Sequence, residues 1–251
     1  MHGHGSSTGN GMRLDLLRLL EKKQNKVTYI GSQESGNMTN KYSEGHPGAT
    51  IKEMPGFYKD TIKQNPNVIL VFVGTNDNYN PGSETAHERM GLVVDDLVKQ
   101  APKAAILIAQ ITTVTSNEKA AKNIASFNKN LIPVIKKRAD KGAHVALVDM
   151  GKILKPEDLS KDGKHPNDKG HAKIAKAWYK GLSRAASKGW IKEPLKAGSN
   201  STEPAKKADE DTNKIKTTDQ VSKKEGLNVA KDGNQPGLDS TTAEKEPAKT
   251  N

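Results

Sequence analysis

Between Met12 and Lys188, apolar residues fall into short unbroken runs and longer spaced ones, and the two kinds alternate. Met12 to Lys23 carries Leu14, Leu16, Leu17, Leu19 and Leu20, interrupted by Arg13, Asp15 and Arg18, which is the spacing of an amphipathic helix. Val27 to Ile30, closed by Gly31, predicts a short strand. A polar, glycine-rich loop from Ser32 to Gly48 leads to a predicted helix over Ile51 to Gln64. Val68 to Val73 is uninterrupted and apolar, as expected of a strand buried on both faces of a parallel sheet. Glu84 to Gln100 reads as a helix, Ala105 to Gln110 as a strand, and Asn117 to Lys141 as a long helix with Ile124, Phe127, Leu131, Ile132 and Ile135 inward. Pro133 is its expected kink point. Val145 to Val148 is the last strand, and Lys169 to Lys188 the last helix, with Ile174, Ala175, Trp178 and Leu182 on one face. This alternation predicts an α/β layered fold around a mostly parallel sheet, whose strand-end loops gather at one edge where ligands bind.

Composition changes the picture at the C-terminal end. From residue 197 onward there is no Phe, Tyr or Trp, and the segment is rich in Lys, Glu, Asp, Thr, Asn, Gly and Pro. Such a stretch cannot bury enough apolar surface to offset the entropy of ordering it, so residues 197–251 are expected to be a disordered polar tail behind one domain at 1–196. The formal charge of +11 is concentrated in that domain, because the tail holds nine Lys against ten acidic residues. The basic residues, among them Lys22, Lys23, Lys99, Lys136, Lys137 and Arg138, fall at helix ends and outer faces. No aromatic platform or nucleic-acid motif accompanies them, so no nucleic-acid partner is expected. The chain has no cysteine, which excludes a disulfide framework and a thiolate nucleophile. No apolar run reaches the ~20 residues of a membrane span, and residues 1–10 have no apolar core like that of an export signal.

Three strand-end segments carry candidate chemistry. In Gly74-Thr75-Asn76-Asp77, directly after the first long apolar strand, the Asn76 amide can donate to a developing oxyanion, although Asn and Asp after Gly are also ordinary turn residues. In Asp162-Gly163-Lys164-His165, the tight spacing lets the carboxylate accept from one imidazole nitrogen and leave the other as a base. The plainer alternative is a helix-capping loop with Asp168 as the cap. In Glu44-Gly45-His46-Pro47-Gly48, a glycine-rich loop opens the next helix, and the Gly48 N–H is a second candidate oxyanion donor or simply part of a turn. His46 has no partner at metal-ligand spacing, His171 reads as a packed or surface histidine, and His87 and His144 have no chemical context. The loop from Gly3 to Gly11 lacks the Gly-Lys-Ser/Thr ending of a phosphate-binding loop and misses the dinucleotide spacing.

Taken together and in this order, the three segments resemble the later sequence blocks of the SGNH (GDSL-type) hydrolases. Tyr29-Ile30-Gly31-Ser32-Gln33, Glu44 to Gly48 and Val68 to Asp77 look more narrowly like the third family of carbohydrate esterases, which includes acetylxylan esterases; the likeness spans roughly residues 5 to 190. The resemblance implies a three-layer, flavodoxin-like fold with a parallel sheet. It implies His165 as general base, Asp162 as its orienting carboxylate, and Asn76 and Gly48 as oxyanion donors, with neither metal nor organic cofactor.

The family's nucleophilic serine ends the first, central strand in Gly-Asp-Ser. Gly5 to Gly11 resembles the stretch just after it, which places that serine ahead of Met1, so no residue of this chain matches it. With that strand missing, the chain is expected to fold poorly or to pair its second and third strands directly. The implied function is a secreted, monomeric serine esterase that deacetylates a carbohydrate such as acetylated xylan, inactive as written. The alternative is a non-catalytic protein that binds a glycan or a protein partner through the same cleft.

Overall fold

The structure is a computed structural model that describes residues 3–194; the tail expected from residue 197 lies outside the described residues. In chain order the elements are α1 (Met12–Glu21), the short strands β1 (Gln33–Glu34) and β2 (Tyr42–Ser43), α2 (Met54–Tyr58), β3 (Val68–Val71), α3 (Thr75–Tyr79), α4 (Ala86–Gln100), β4 (Ala105–Ala109), α5 (Glu118–Ala139), β5 (Val145–Val148) and α6 (Asp168–Ser187). β3, β4 and β5 form a parallel sheet in that order, with Val68 opposite Ala105 and Ile106 opposite Val145. β1 and β2 form a separate antiparallel pair, a hairpin inside the loop expected to be irregular.

The central strand β4 explains the layering. All five of its residues are buried, and their period-2 alternation divides them between two cores. Ile106 and Ile108 pack with Met90, Val94 and Leu97 of α4 and Phe127, Leu131 and Ile135 of α5. Ala105, Leu107 and Ala109 pack with Leu16 of α1 and Ile174, Trp178 and Leu182 of α6. The result is helices, sheet and helices in three layers, the expected α/β architecture. Small residues let α6 come close: a Cβ on Gly181 would stand 2.8 Å from Val148 Cγ2.

Several expectations need correction. Val27 to Ile30 is not a strand, and it does not pair with β3. The Asn40 side chain satisfies its backbone instead, accepting from Tyr29 N at 2.5 Å and donating to Tyr29 O at 3.0 Å. A cavity of about 1480 Å³ is lined by residues of both Val27–Ile30 and Val68–Val71. The helix expected over Ile51 to Gln64 is three short pieces, a 3₁₀ turn at Ile51–Glu53, α2, and a 3₁₀ turn at Thr61–Gln64. Pro55 lacks the N–H that a continuing helix needs, and Gly56 lowers the helix propensity of the next turn. Ile132 is half exposed, because it sits about 100° around the helix from Leu131, which with Ile124 and Ile135 defines the buried face. α5 runs through Pro133 as one α-helix. The cap of α6 is Asn167, whose side chain accepts from Gly170 N at 3.1 Å, and not Asp168.

Arg13, read from the sequence as an interruption of the α1 stripe, is 2% exposed. Its guanidinium donates to Ser35 O at 2.6 Å, Ser35 Oγ at 2.5 Å, Tyr42 O at 3.2 Å and Lys41 O, so it fastens the β1–β2 hairpin to α1. Burial lowers its pKa, opposed by the nearby Tyr29.

Two outcomes are expected from this packing. Hydrogen bonds to charged groups contribute about 1.5–3 kcal/mol each, so Arg13→Met is expected to lower unfolding free energy by roughly 2–4 kcal/mol in urea. Faster amide exchange should then centre on Gln33–Ser43, and Arg13→Lys should not restore it, because a point ammonium cannot reach four acceptors in a fork. The β3 amides that face away from β4 should exchange roughly 100-fold faster than those of β4, as expected for an unladdered edge; equal protection would contradict the cavity beside β3.

Candidate active site

The loop before α6 is built around one carboxylate. Asp162 Oδ1 accepts the backbone N–H groups of Lys164 and His165, each at 2.9 Å. Its Oδ2 lies 2.6 Å from His165 Nδ1. The turn closes through Ser160 N to His165 O at 2.7 Å and is pinned to the loop after β4 through Thr115 N to Gly163 O at 2.7 Å. Gly163 is required there: its φ is +62°, and a Cβ would stand 2.6 Å from Thr115 Oγ1. Desolvation pushes the Asp162 carboxyl upward, but the His165 ring and the two backbone N–H groups outweigh it and hold the pKa down at about 2. The group is therefore anionic at neutral pH and suited to accept a proton from Nδ1, the tautomer in which Nε2 is free to act as a base.

The second segment follows β3. Gly74 has φ +123°, and its flank packs on Phe127, Ile51 and Ile111. The next residues wind into α3, not the simple turn that their composition also allowed. Asp77, 4% exposed, accepts from Ile51 N and from Arg89 Nη2, each at 3.0 Å. Asn78, fully buried, donates to Gly74 O at 2.8 Å. These bonds leave the Asn76 side chain at the sheet edge, where its Nδ2 donates to Ala49 O at 2.9 Å and its Oδ1 accepts from Lys164 Nζ at 3.0 Å.

The third segment is held by Glu44, which accepts from Ser32 N at 2.8 Å, Ser32 Oγ at 2.9 Å and the Thr61 hydroxyl, and contacts His46 Nε2 at 2.7 Å. His46 stacks on Phe57 with ring centroids 3.9 Å apart. Between them these contacts fix the Gly45–Gly48 turn, so His46 has a structural partner. Gly48 has φ +81°, and a Cβ there would meet nothing within 4 Å. It precedes the 3₁₀ turn at Ile51–Glu53 instead of lying within a helix start, a correction to the expected setting of its N–H.

All three segments reach the same cavity, which His165, Asn76 and Gly48 line, with Asp162 behind the imidazole. His4 lines it too, its ring centroid 5.1 Å from that of His165. The Gly3–Gly11 loop that carries His4 is tied to α6 by the buried His171, whose Nε2 lies 3.0 Å from His4 O, and by Ser7 N to Asp168 Oδ1 at 3.0 Å. Burial lowers the His171 pKa, in keeping with a neutral packed histidine.

Sequence reading did not single out Lys164, Asp77 or His4. Asp77 and Lys164 stand inside motifs that were recognised, but their roles depend on partners 12 to 88 positions away. Only the folded chain reveals them.

Comparison with known proteins agrees with the resemblance. The chain matches the GDSL-like lipase/acylhydrolase family over residues 4–173, more than half its length. Among curated protein sequences, none matches it. Its structure is similar to that of a family 3 carbohydrate esterase from Clostridium thermocellum, with a TM-score of 0.62, 25% identity, and coverage of 74% of this chain and 92% of that one. A family 3 carbohydrate esterase from Talaromyces cellulolyticus shares the fold at a TM-score of 0.60, with 17% identity and coverage of 74% and 94%. The chain belongs to the GDSL-like lipase/acylhydrolase family and is, by family, a carboxylic ester hydrolase.

Proposed function

We propose that the domain is the body of an exported serine esterase that removes acetyl groups from a carbohydrate such as acetylated xylan. The observation that carries this reading is the convergence of His165, Asn76 and Gly48 on one cavity, with Asp162 2.6 Å behind the imidazole. The likeness to family 3 carbohydrate esterases supports the substrate class.

The chemistry is acyl transfer. His165 Nε2 takes the proton of a serine hydroxyl as its oxygen attacks the ester carbonyl. Asp162 holds the tautomer and balances the imidazolium that forms. The oxyanion receives hydrogen bonds from the second Asn76 amide hydrogen and from Gly48 N–H. The imidazolium then protonates the departing sugar oxygen, which leaves as a hydroxyl, and a water activated by His165 releases acetate from the acyl-enzyme. In the family order the attacking serine closes a Gly-Asp-Ser segment at the end of the first strand.

The direct test joins such a segment ahead of Met1 and measures acetate release from acetylated xylan and from 4-nitrophenyl acetate. Turnover is expected with the segment and not with the 251-residue chain alone. Activity that survives His165→Ala would sink the mechanism. In the joined enzyme, Asp162→Asn is expected to lower kcat by on the order of 10³–10⁴-fold, because the imidazole loses the partner that sets its tautomer.

Asp162 also gives an acid limb to stability. Its carboxyl is depressed from 3.8 to about 2, so its contribution is fully present above pH 3.8 and is lost as pH falls through about 2. Asp162→Asn should therefore flatten the loss of thermal stability between those two values; an unchanged acid limb would contradict the paired carboxylate.

A further inference from the structure

We propose that Lys164 is a positioning residue that decides which edge of the Asn76 amide faces the reacting carbonyl and strengthens that edge as a donor. The inference rests on Asn76 serving the oxyanion. A carboxamide has two chemically opposite edges of nearly the same shape, an acceptor oxygen and a donor NH₂. Only the NH₂ edge stabilises developing negative charge; the turned amide would aim lone pairs at it.

Two contacts choose between the edges. Ala49 O, 2.9 Å from Nδ2, can only accept. Lys164 Nζ, 3.0 Å from Oδ1, can only donate. Turning the amide would set oxygen against oxygen and ammonium against NH₂, so the two contacts enforce one orientation from opposite sides. The lysine adds what the carbonyl does not. Its bond to Oδ1 is charge-assisted, and it draws electron density toward the oxygen and away from the N–H groups that donate.

The ammonium is itself fixed. It lies 4.6 Å from the centroid of the Tyr79 ring, in cation–π range, and Tyr79 Oη is 2.8 Å from Ser116 Oγ. At the other end of the residue, the Lys164 backbone N–H is one of the two bonded to Asp162 Oδ1. The turn that aims the His165 imidazole thereby also aims the lysine. One carboxylate sets base and donor in register, acting on the donor through a lysine 88 residues from Asn76 in sequence.

The test uses Lys164→Met, which keeps the aliphatic stem and removes the charge, and Lys164→Arg, which keeps a cationic donor. In the full chain as it stands, the Asn76 side-chain amide resonances should shift in Lys164→Met and exchange with solvent several-fold faster, while Lys164→Arg stays near the parent. In the enzyme joined to a Gly-Asp-Ser segment, Lys164→Met is expected to lower kcat about 10- to 100-fold with KM changed less than about twofold, less than the 10²–10³-fold typical of deleting a donor outright. Placed in an Asn76→Ala background, Lys164→Met should have no further effect on kcat. Unmoved Asn76 resonances, or an equal fall in kcat with and without Asn76, would overturn the proposal. Absence of acetate release by the joined parent enzyme would instead remove the esterase reading, and the resonance measurement would still decide whether Lys164 holds the amide.

Discussion

One side-chain amide joins three distant parts of the chain. Asn76 sits at the end of β3, gives a hydrogen bond to the turn that carries Gly48, and receives one from the loop that carries His165. Each of these loops is short of apolar residues and has little reason of its own to hold a single shape. Their mutual bonds, and not burial, set the distances between the candidate site groups. A carboxamide suits this place because it offers an acceptor and two donor hydrogens on one rigid plane, so that two bonds can position it while a third remains for a ligand.

The sheet supplies the rigid base for these bonds. β4 is buried on both faces and hydrogen-bonded on both edges; β5 ends opposite its last residue and β3 one position earlier. Loops that leave such strands start from fixed points, so a few side-chain bonds suffice to order them. Asp77 is one such case: buried and paired with Arg89, it reaches back to Ile51 N and holds the start of the 3₁₀ turn at Ile51–Glu53 against α3. β3 is less tightly covered, with Val68, Ile69 and Leu70 half-buried and lining the cavity that Val27–Ile30 also lines.

The parts legible in the sequence were those decided by local pattern or by both-face burial. Ala105–Ala109 is the strand buried on both faces; the runs at Val68 and Val145 are strands too, but Val68, Ile69 and Leu70 are only half-buried, contrary to the both-face burial expected of them, because β3 is bonded to β4 alone and borders the cavity. The α4, α5 and α6 stripes followed from helical periodicity. Asp162 and His165 were legible because three residues of spacing are enough to pair them. Val27–Ile30 was misread because a strand is a property of its neighbours as well as of its residues, and here Asn40 takes the neighbour's place. The short pieces of Ile51–Gln64 show Pro55 and Gly56 prevailing over an otherwise helical stretch. Arg13 and Lys164 were not legible as structural residues at all, since a charged side chain inside an apolar stripe or beside a candidate site histidine reads as surface until its acceptors are known.

A crystal structure of the full chain with acetate bound would measure the arrangement of these groups directly. One acetate oxygen is expected about 3 Å from both Asn76 Nδ2 and Gly48 N, a hydrogen-bonding distance, with His165 Nε2 facing the same carboxylate and Lys164 Nζ still on Asn76 Oδ1. Acetate bound elsewhere, with Asn76 turned so that its oxygen faces the cavity, would contradict a shared oxyanion site.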